Sequence, residues 1–199
     1  MNEIKYENMK TQTFKKIFFL TALLFINCSN SDPKDQLPPI TQTGENTFGC
    51  LIDGEVFVPK GWKISIYGYD FPVTFWGSHD DNYNGITVRD FESNDAKRMD
   101  INLYHLEQNG TGTFTVDQSN CLDIGYANPS INIRCRYNGA WYCSTENSGT
   151  LSITRYDNNI VSGTFSCTVI NRDDPTDRIE ITKGRFDFYR PSINTTQFP

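Results

Sequence analysis

Apolar residues recur at every second position in short runs, and that period leaves little room for anything but strands. Ile64 and Ile66, Val73 and Phe75, Ile86 and Val88, Ile101 and Leu103, Phe114 and Val116, and Ile131 and Ile133 each flank a polar residue. Such alternation marks strands with one face toward a core, and no window carries a helical stripe. Glycine, asparagine and aspartate clusters part the runs at short intervals, as in a sandwich or barrel. The last third repeats the pattern: Leu151 and Ile153, a turn at Asp157–Asn159, then Phe165, Cys167 and Val169. Ile179, Ile181, Phe186 and Phe188 share one inward set if a bulge at Gly184 resets the phase between the pairs. The expected fold is all-β: a single antiparallel β-sandwich, or a flattened barrel, of about ten strands rich in meanders.

Asp53-Gly54, between two apolar runs, predicts a hairpin in which Leu51 faces Val56 and Cys50 faces Phe57. Both faces of that ribbon are apolar, which suits a central pair. The stretch 90–98 has room for one helical turn at most.

Ahead of these strands stands a different signal. Lys15 and Lys16 precede an apolar run, Ile17 to Ile26, which ends at Asn27, Cys28 and a polar stretch. The run falls short of the ~20 apolar residues of a transmembrane helix and reads as the core of an export signal. Phe25, Ile26 and Asn27 occupy the lipobox positions before Cys28, whose thiol would carry the lipid. Met9 is an alternative start, because Glu3 and Glu7 interrupt the basic flank such signals prefer. Four domains follow: 1–27 signal peptide, 28–46 lipidated cysteine and flexible tether, 47–191 the β domain, and 192–199 a C-terminal tail. The tether reading rests on SNSDPKDQLPPITQTGEN, rich in proline and polar residues and without apolar periodicity.

Cleavage before Cys28 removes 27 of the 199 residues and leaves 172, enough for one sizeable core. It also removes four lysines against two glutamates, taking the net charge from −6 to −8. An acidic chain without a basic cluster disfavours nucleic acid as a partner. The expected partners are a membrane, through the N-terminal lipid, and a glycan or an envelope protein.

Cys50, Cys121, Cys135, Cys143 and Cys167 remain, an odd count in a compartment that permits disulfides. In RCRYNGAWYC a two-residue turn at Asn138-Gly139 would set Cys135 opposite Tyr142, with Cys143 on the other face. A loop longer by Ala140 would set Cys135 opposite Cys143, a candidate disulfide.

The blocks TQTGENTFGCLIDGEVFVPKG, SGTFSCTV and ITKGRFDF together resemble a family of uncharacterised lipoproteins of Gram-negative bacteria that join a lipobox to a β-rich domain of unknown function. The resemblance implies a lipid-anchored, all-β protein of the cell envelope and brings no catalytic residues; the expected location is the periplasmic or surface face of the outer membrane. Cys167 stands where it leads one to expect an apolar or aromatic residue.

Chemistry-bearing motifs are sparse. His79 and His105 lie far apart in sequence, and His105 ends a strand, as a rim histidine does. Asp80, Asn82, Asn84 and Gly85 match the first half of a calcium loop, but Phe91 takes the place of the bidentate glutamate, with Glu92 one residue late, and a turn explains the same residues. Asp90, Glu92, Asp173, Asp174 and Asp177 sit in loops, where solvated charge is expected. No cofactor, metal or catalytic residue is assigned, and the chain is read as a non-enzyme: a binding or structural module. Two alternatives stand beside that reading. Tyr67, Tyr69, Trp76 and Tyr83 could form a platform for stacking sugar rings, making a carbohydrate-binding lipoprotein. A carboxylate pair would make an envelope hydrolase.

Overall fold

A computed structural model describes residues 32–78, 83–122 and 130–198. The signal peptide and Cys28 lie outside the described residues, as do His79, Asp80 and Asn82. Within the unit Pro33–Pro199, twelve strands are described: β1 (Thr47–Ile52), β2 (Glu55–Phe57), β3 (Lys63–Ser65), β4 (Gly68–Asp70), β5 (Val73–Ser78), β6 (Tyr83–Arg89), β7 (Arg98–Tyr104), β8 (Gly112–Val116), β9 (Asn132–Tyr137), β10 (Ala140–Tyr156), β11 (Ile160–Asn171) and β12 (Arg178–Tyr189). A single helical turn, α1 (Leu106–Asn109), follows β7. All pairings between strands are antiparallel, and the main sheet has the order β2-β1-β12-β11-β10-β9-β7-β6-β5 with β8 also on β10. It curls strongly into a half-barrel, while β3 and β4 form a separate ribbon. The all-β antiparallel reading therefore holds, in its curled form.

Alternation explains which face is inside. Met99, Ile101 and Leu103 of β7 turn inward, together with Ile86, Val88, Ile133, Leu151 and Ile181, and all are at most 1% exposed. Burying such a side chain contributes about 1.5–3 kcal/mol each, so this one cluster holds the unit together. Between Phe165 and Cys167 the β11–β12 register slips: Phe165 opposes Gly184 and Cys167 opposes Ile181. The extra residue is Lys183, left-handed at φ 55°, and the slip lets Ile179, Ile181, Phe186 and Phe188 all face the core. Gly184 belongs there because a side chain would meet the Phe165 ring at 2.6 Å.

The seventeen-residue β10 serves two neighbours on one side. Its first part pairs with β9 and, after a break between Ser144 and Gly149, its second pairs with β8. The break is fastened by Ser144, whose Oγ donates to the Asp117 carbonyl at 2.6 Å and accepts from the Ile133 amide at 3.0 Å.

The Asp53-Gly54 turn sets Leu51 opposite Val56 and Cys50 opposite Phe57, as expected, with φ of 50° and 81°. The expected central pair is half corrected, because only β1 is internal. β2 stops after three residues, ahead of Pro59, and forms the sheet's edge.

Both boundaries of the β domain are also corrected. Residues 37–46, read as tether, are bound to it: Leu37 is buried, and the Arg185 Nη1 donates to the Pro38 carbonyl at 3.1 Å. Asp187, 1% exposed on β12, accepts from Thr41 Oγ1 (2.7 Å), from Ser162 Oγ (2.6 Å) and from the amides of Thr43, Gly44 and Glu45. Burial raises the pKa of this carboxyl, but the Ser162, Thr41 and amide donors more than offset that and hold it below its ordinary value. A segment held through its backbone needs no apolar period, which is why composition misplaced it. The tail after residue 191 is likewise part of the unit. Ile193 is fully buried, and the Asn194 side chain accepts from the Phe75 amide at 2.8 Å and donates to its carbonyl at 2.9 Å. Asn194 thus imitates a further strand residue along the free edge of β5.

Candidate functional site: an exposed aromatic hairpin

The β3–β4 ribbon stands apart from the core. Ile64 pairs with Tyr69 and Ser65 with Gly68, so Ile66 and Tyr67 form the turn itself. Two large apolar residues at a turn, where glycine, asparagine and aspartate are usual, are unexpected on solubility grounds. They are 92% and 94% exposed, and Ile64, Tyr69 and Trp62 are exposed as well. Trp62 meets Tyr69 edge-on, centroids 5.4 Å apart and planes at 62°, and Tyr69 lies 6.4 Å from Phe71 at 38°. Within the turn, the Tyr67 amide donates to Ser65 Oγ and that hydroxyl donates to the Gly68 carbonyl, both at 3.3 Å.

Both feet of the hairpin are fastened to the end of β6. The Lys60 amide donates to the Arg89 carbonyl (3.4 Å) and the Phe91 amide to the Lys60 carbonyl (3.1 Å), while the Arg89 amide donates to the Pro72 carbonyl (2.7 Å). Gly61, at φ 64°, bends the chain between foot and ribbon. The result is an apolar tip on a secured base.

The four aromatics expected to form one platform are separated, a correction to the sequence reading. Tyr67 and Tyr69 belong to the hairpin. Trp76 and Tyr83 lie on neighbouring strands, rings 5.0 Å apart, with Tyr83 only 5% exposed. Trp76 lies over Gly85, where any side chain would run into the indole. Ile64 and Ile66, read as inward-facing, point to solvent instead. The sequence did carry a sign of this, since KISIYGYD places apolar residues at the position of the turn.

The expected disulfide is corrected too. Cys121 pairs with Cys143, Cα atoms 5.6 Å apart, and Cys135 is a buried free thiol like Cys50 and Cys167. The Asn138-Gly139 turn has φ of 49° and 80°, and Cys135 opposes Tyr142, so Cys143 is carried to the other face of β10, where the segment after β8 supplies its partner. Burial raises the pKa of the Cys50 and Cys135 thiols and pushes that of Cys167 up to about 12.

No cluster of three or more histidine, cysteine or acidic side chains suited to a metal occurs among the described residues. Asn84 and Gly85, half of the candidate calcium loop, are buried within β6. His105 is partly buried and left-handed at φ 59°, just ahead of α1. The loop carboxylates have local duties: Asp90 accepts from the amides of Glu92 and Ser93, Asp174 from Thr176, and Asp177 from Tyr142 and Asn171. The buried Asp100 is ion-paired to Arg98 and Arg134, each at 2.9 Å, and accepts from Thr87 Oγ1 at 2.8 Å. A shallow groove of about 480 Å³ crosses the outer face of β10–β12, but its lining, including Thr150, Ser152, Thr164 and Ile40, supplies no carboxylate or imidazole.

Comparison of the chain with protein-family models, with characterised proteins and with solved structures finds no match. No helix among the described residues is long and apolar enough to cross a membrane.

Proposed function

We propose that this is a lipid-anchored protein of the cell envelope, acylated at Cys28 and akin to the uncharacterised lipoproteins its sequence resembles, that acts by binding rather than by catalysis. The observation that carries the binding reading is the secured hairpin with Ile66 and Tyr67 almost wholly in solvent. Exposed apolar groups on a fixed support mark a contact surface. The Cys121–Cys143 bridge supports residence in an oxidising compartment, as the outer membrane's periplasmic or surface side requires.

A sugar-stacking role for Tyr67 and Tyr69 is the second reading, but planes at 62° and 38° do not make the coplanar row that sugar faces favour. A hydrolase has less support, because Asp100 and Asp187 are each committed to buried donors. Growth with radioactive palmitate tests the anchor. The native protein should take up label and Cys28→Ala should not, and equal labelling of both, or of neither, would sink the proposal.

A further inference from the structure

We infer that the β3–β4 hairpin enters the head-group layer of the membrane that holds the lipid, giving the domain a second, non-covalent contact with its own bilayer. The inference rests on acylation at Cys28. Between that sulfur and Pro33 the chain spans at most ~18 Å fully extended. A unit of this length is ~40 Å across by the usual scaling of compact chains. The tether is therefore shorter than the domain, and the side of the domain where it attaches must face the lipid.

The hairpin springs from that side. The turn Pro33–Gln36 packs against β2, the free edge of the sheet, and the hairpin's first foot, Lys60, follows three residues after β2 ends. Its chemistry suits the interface. No charged residue interrupts the stretch from Ile64 to Tyr69, while Lys63 and Asp70 close its base. Tryptophan and tyrosine favour the head-group boundary, where a flat apolar ring and a polar edge are both accommodated, and isoleucine favours the acyl side of it. Lys60 and Lys63 can lay their stems along the apolar layer and keep their ammonium groups in water. With a mature charge of −8 the contact gains nothing from anionic lipid, so it should form on neutral head groups. A two-stranded ribbon is marginal in water by itself, and a lipid surface would cover the face it leaves open.

The acylated protein, purified from membranes and reconstituted in phosphatidylcholine vesicles with brominated acyl chains, reports the contact through tryptophan quenching. The chain has three tryptophans, so Trp62→Phe isolates the hairpin signal. Native protein should be quenched. The quenching should disappear in Trp62→Phe and in Ile66→Asp/Tyr67→Asp, whose thermal unfolding should match the native because the tip residues are solvent-exposed. Labelled protein with unquenched Trp62 overturns the hairpin contact and leaves the anchor standing. Unlabelled protein overturns the anchor, and this inference with it. An unquenched Trp62 in a dimer that Ile66→Asp dissociates assigns the tip to self-association instead.

Discussion

Replacing Asp187 by asparagine asks whether one buried carboxylate holds the N-terminal arm. The side chains match in shape, so packing is preserved and only charge and acceptor capacity change. Carboxylate oxygen Oδ2 accepts from Thr41 and from the amides of Thr43, Gly44 and Glu45, and Oδ1 from Ser162 and Gly44. An amide keeps one acceptor oxygen and turns an NH2 toward donors at the other position. Hydrogen bonds to a charged group contribute about 1.5–3 kcal/mol each, and Ser162 can reverse its hydroxyl, so a net loss of about 3 kcal/mol is expected. For a unit of this size that is a fall of about 6–12 °C in Tm.

The pH dependence has a definite sign. The folded pKa of Asp187 is depressed, so its contribution is complete above the unfolded value of about 3.9 and is lost as pH falls through the folded value. The native and Asp187→Asn stabilities, measured by urea unfolding followed by circular dichroism, should differ most near pH 7 and converge as the pH is taken down through the depressed folded value. Glutamyl endopeptidase should also cut after Glu45 faster in the variant. A gap under about 1 kcal/mol at pH 7, or one that persists unchanged into acid, would refute the reasoning.

Other expectations are checked more briefly. Non-reducing peptide mapping should recover Cys121 joined to Cys143, and Cys121→Ser/Cys143→Ser should lose about 3 kcal/mol for a loop of this length, whereas a Cys135–Cys143 peptide would contradict the register of β9 and β10. Cys50, Cys135 and Cys167 should resist a thiol reagent at pH 8 until the protein is unfolded, all together, because each is buried. Tyr142, its pKa raised to about 12 by burial and by its hydrogen bond to Asp177, should titrate in ultraviolet absorbance well above the ordinary tyrosine value of about 10, and Asp177→Asn should bring it down. Gly184→Ala should cost about 1–3 kcal/mol in thermal melts, because its methyl would press on the Phe165 ring.

The sequence by itself determined the all-β class and the inward set of β6, β7, β9 and β10 through period-two alternation, the Asp53-Gly54 turn through its turn residues, and the bulge beside Gly184 through the phase change it requires, whereas at Asn138-Gly139 it left two loop lengths open and the structure chose the shorter. These are local properties, since side-chain direction along a strand and φ at a turn depend on a few neighbouring residues. Only the tertiary structure decided that Cys121 meets Cys143, that Asp187 gathers the chain from Thr41 to Glu45, and that Tyr83 is buried while Ile66 is not. Each of those depends on which segments the curl of the sheet brings together, 22 residues apart for the two cysteines and 146 for Thr41 and Asp187. Two inward-reading runs can end on opposite sides of the solvent boundary because a single strand's pattern says which face is apolar but not whether another element arrives to cover it.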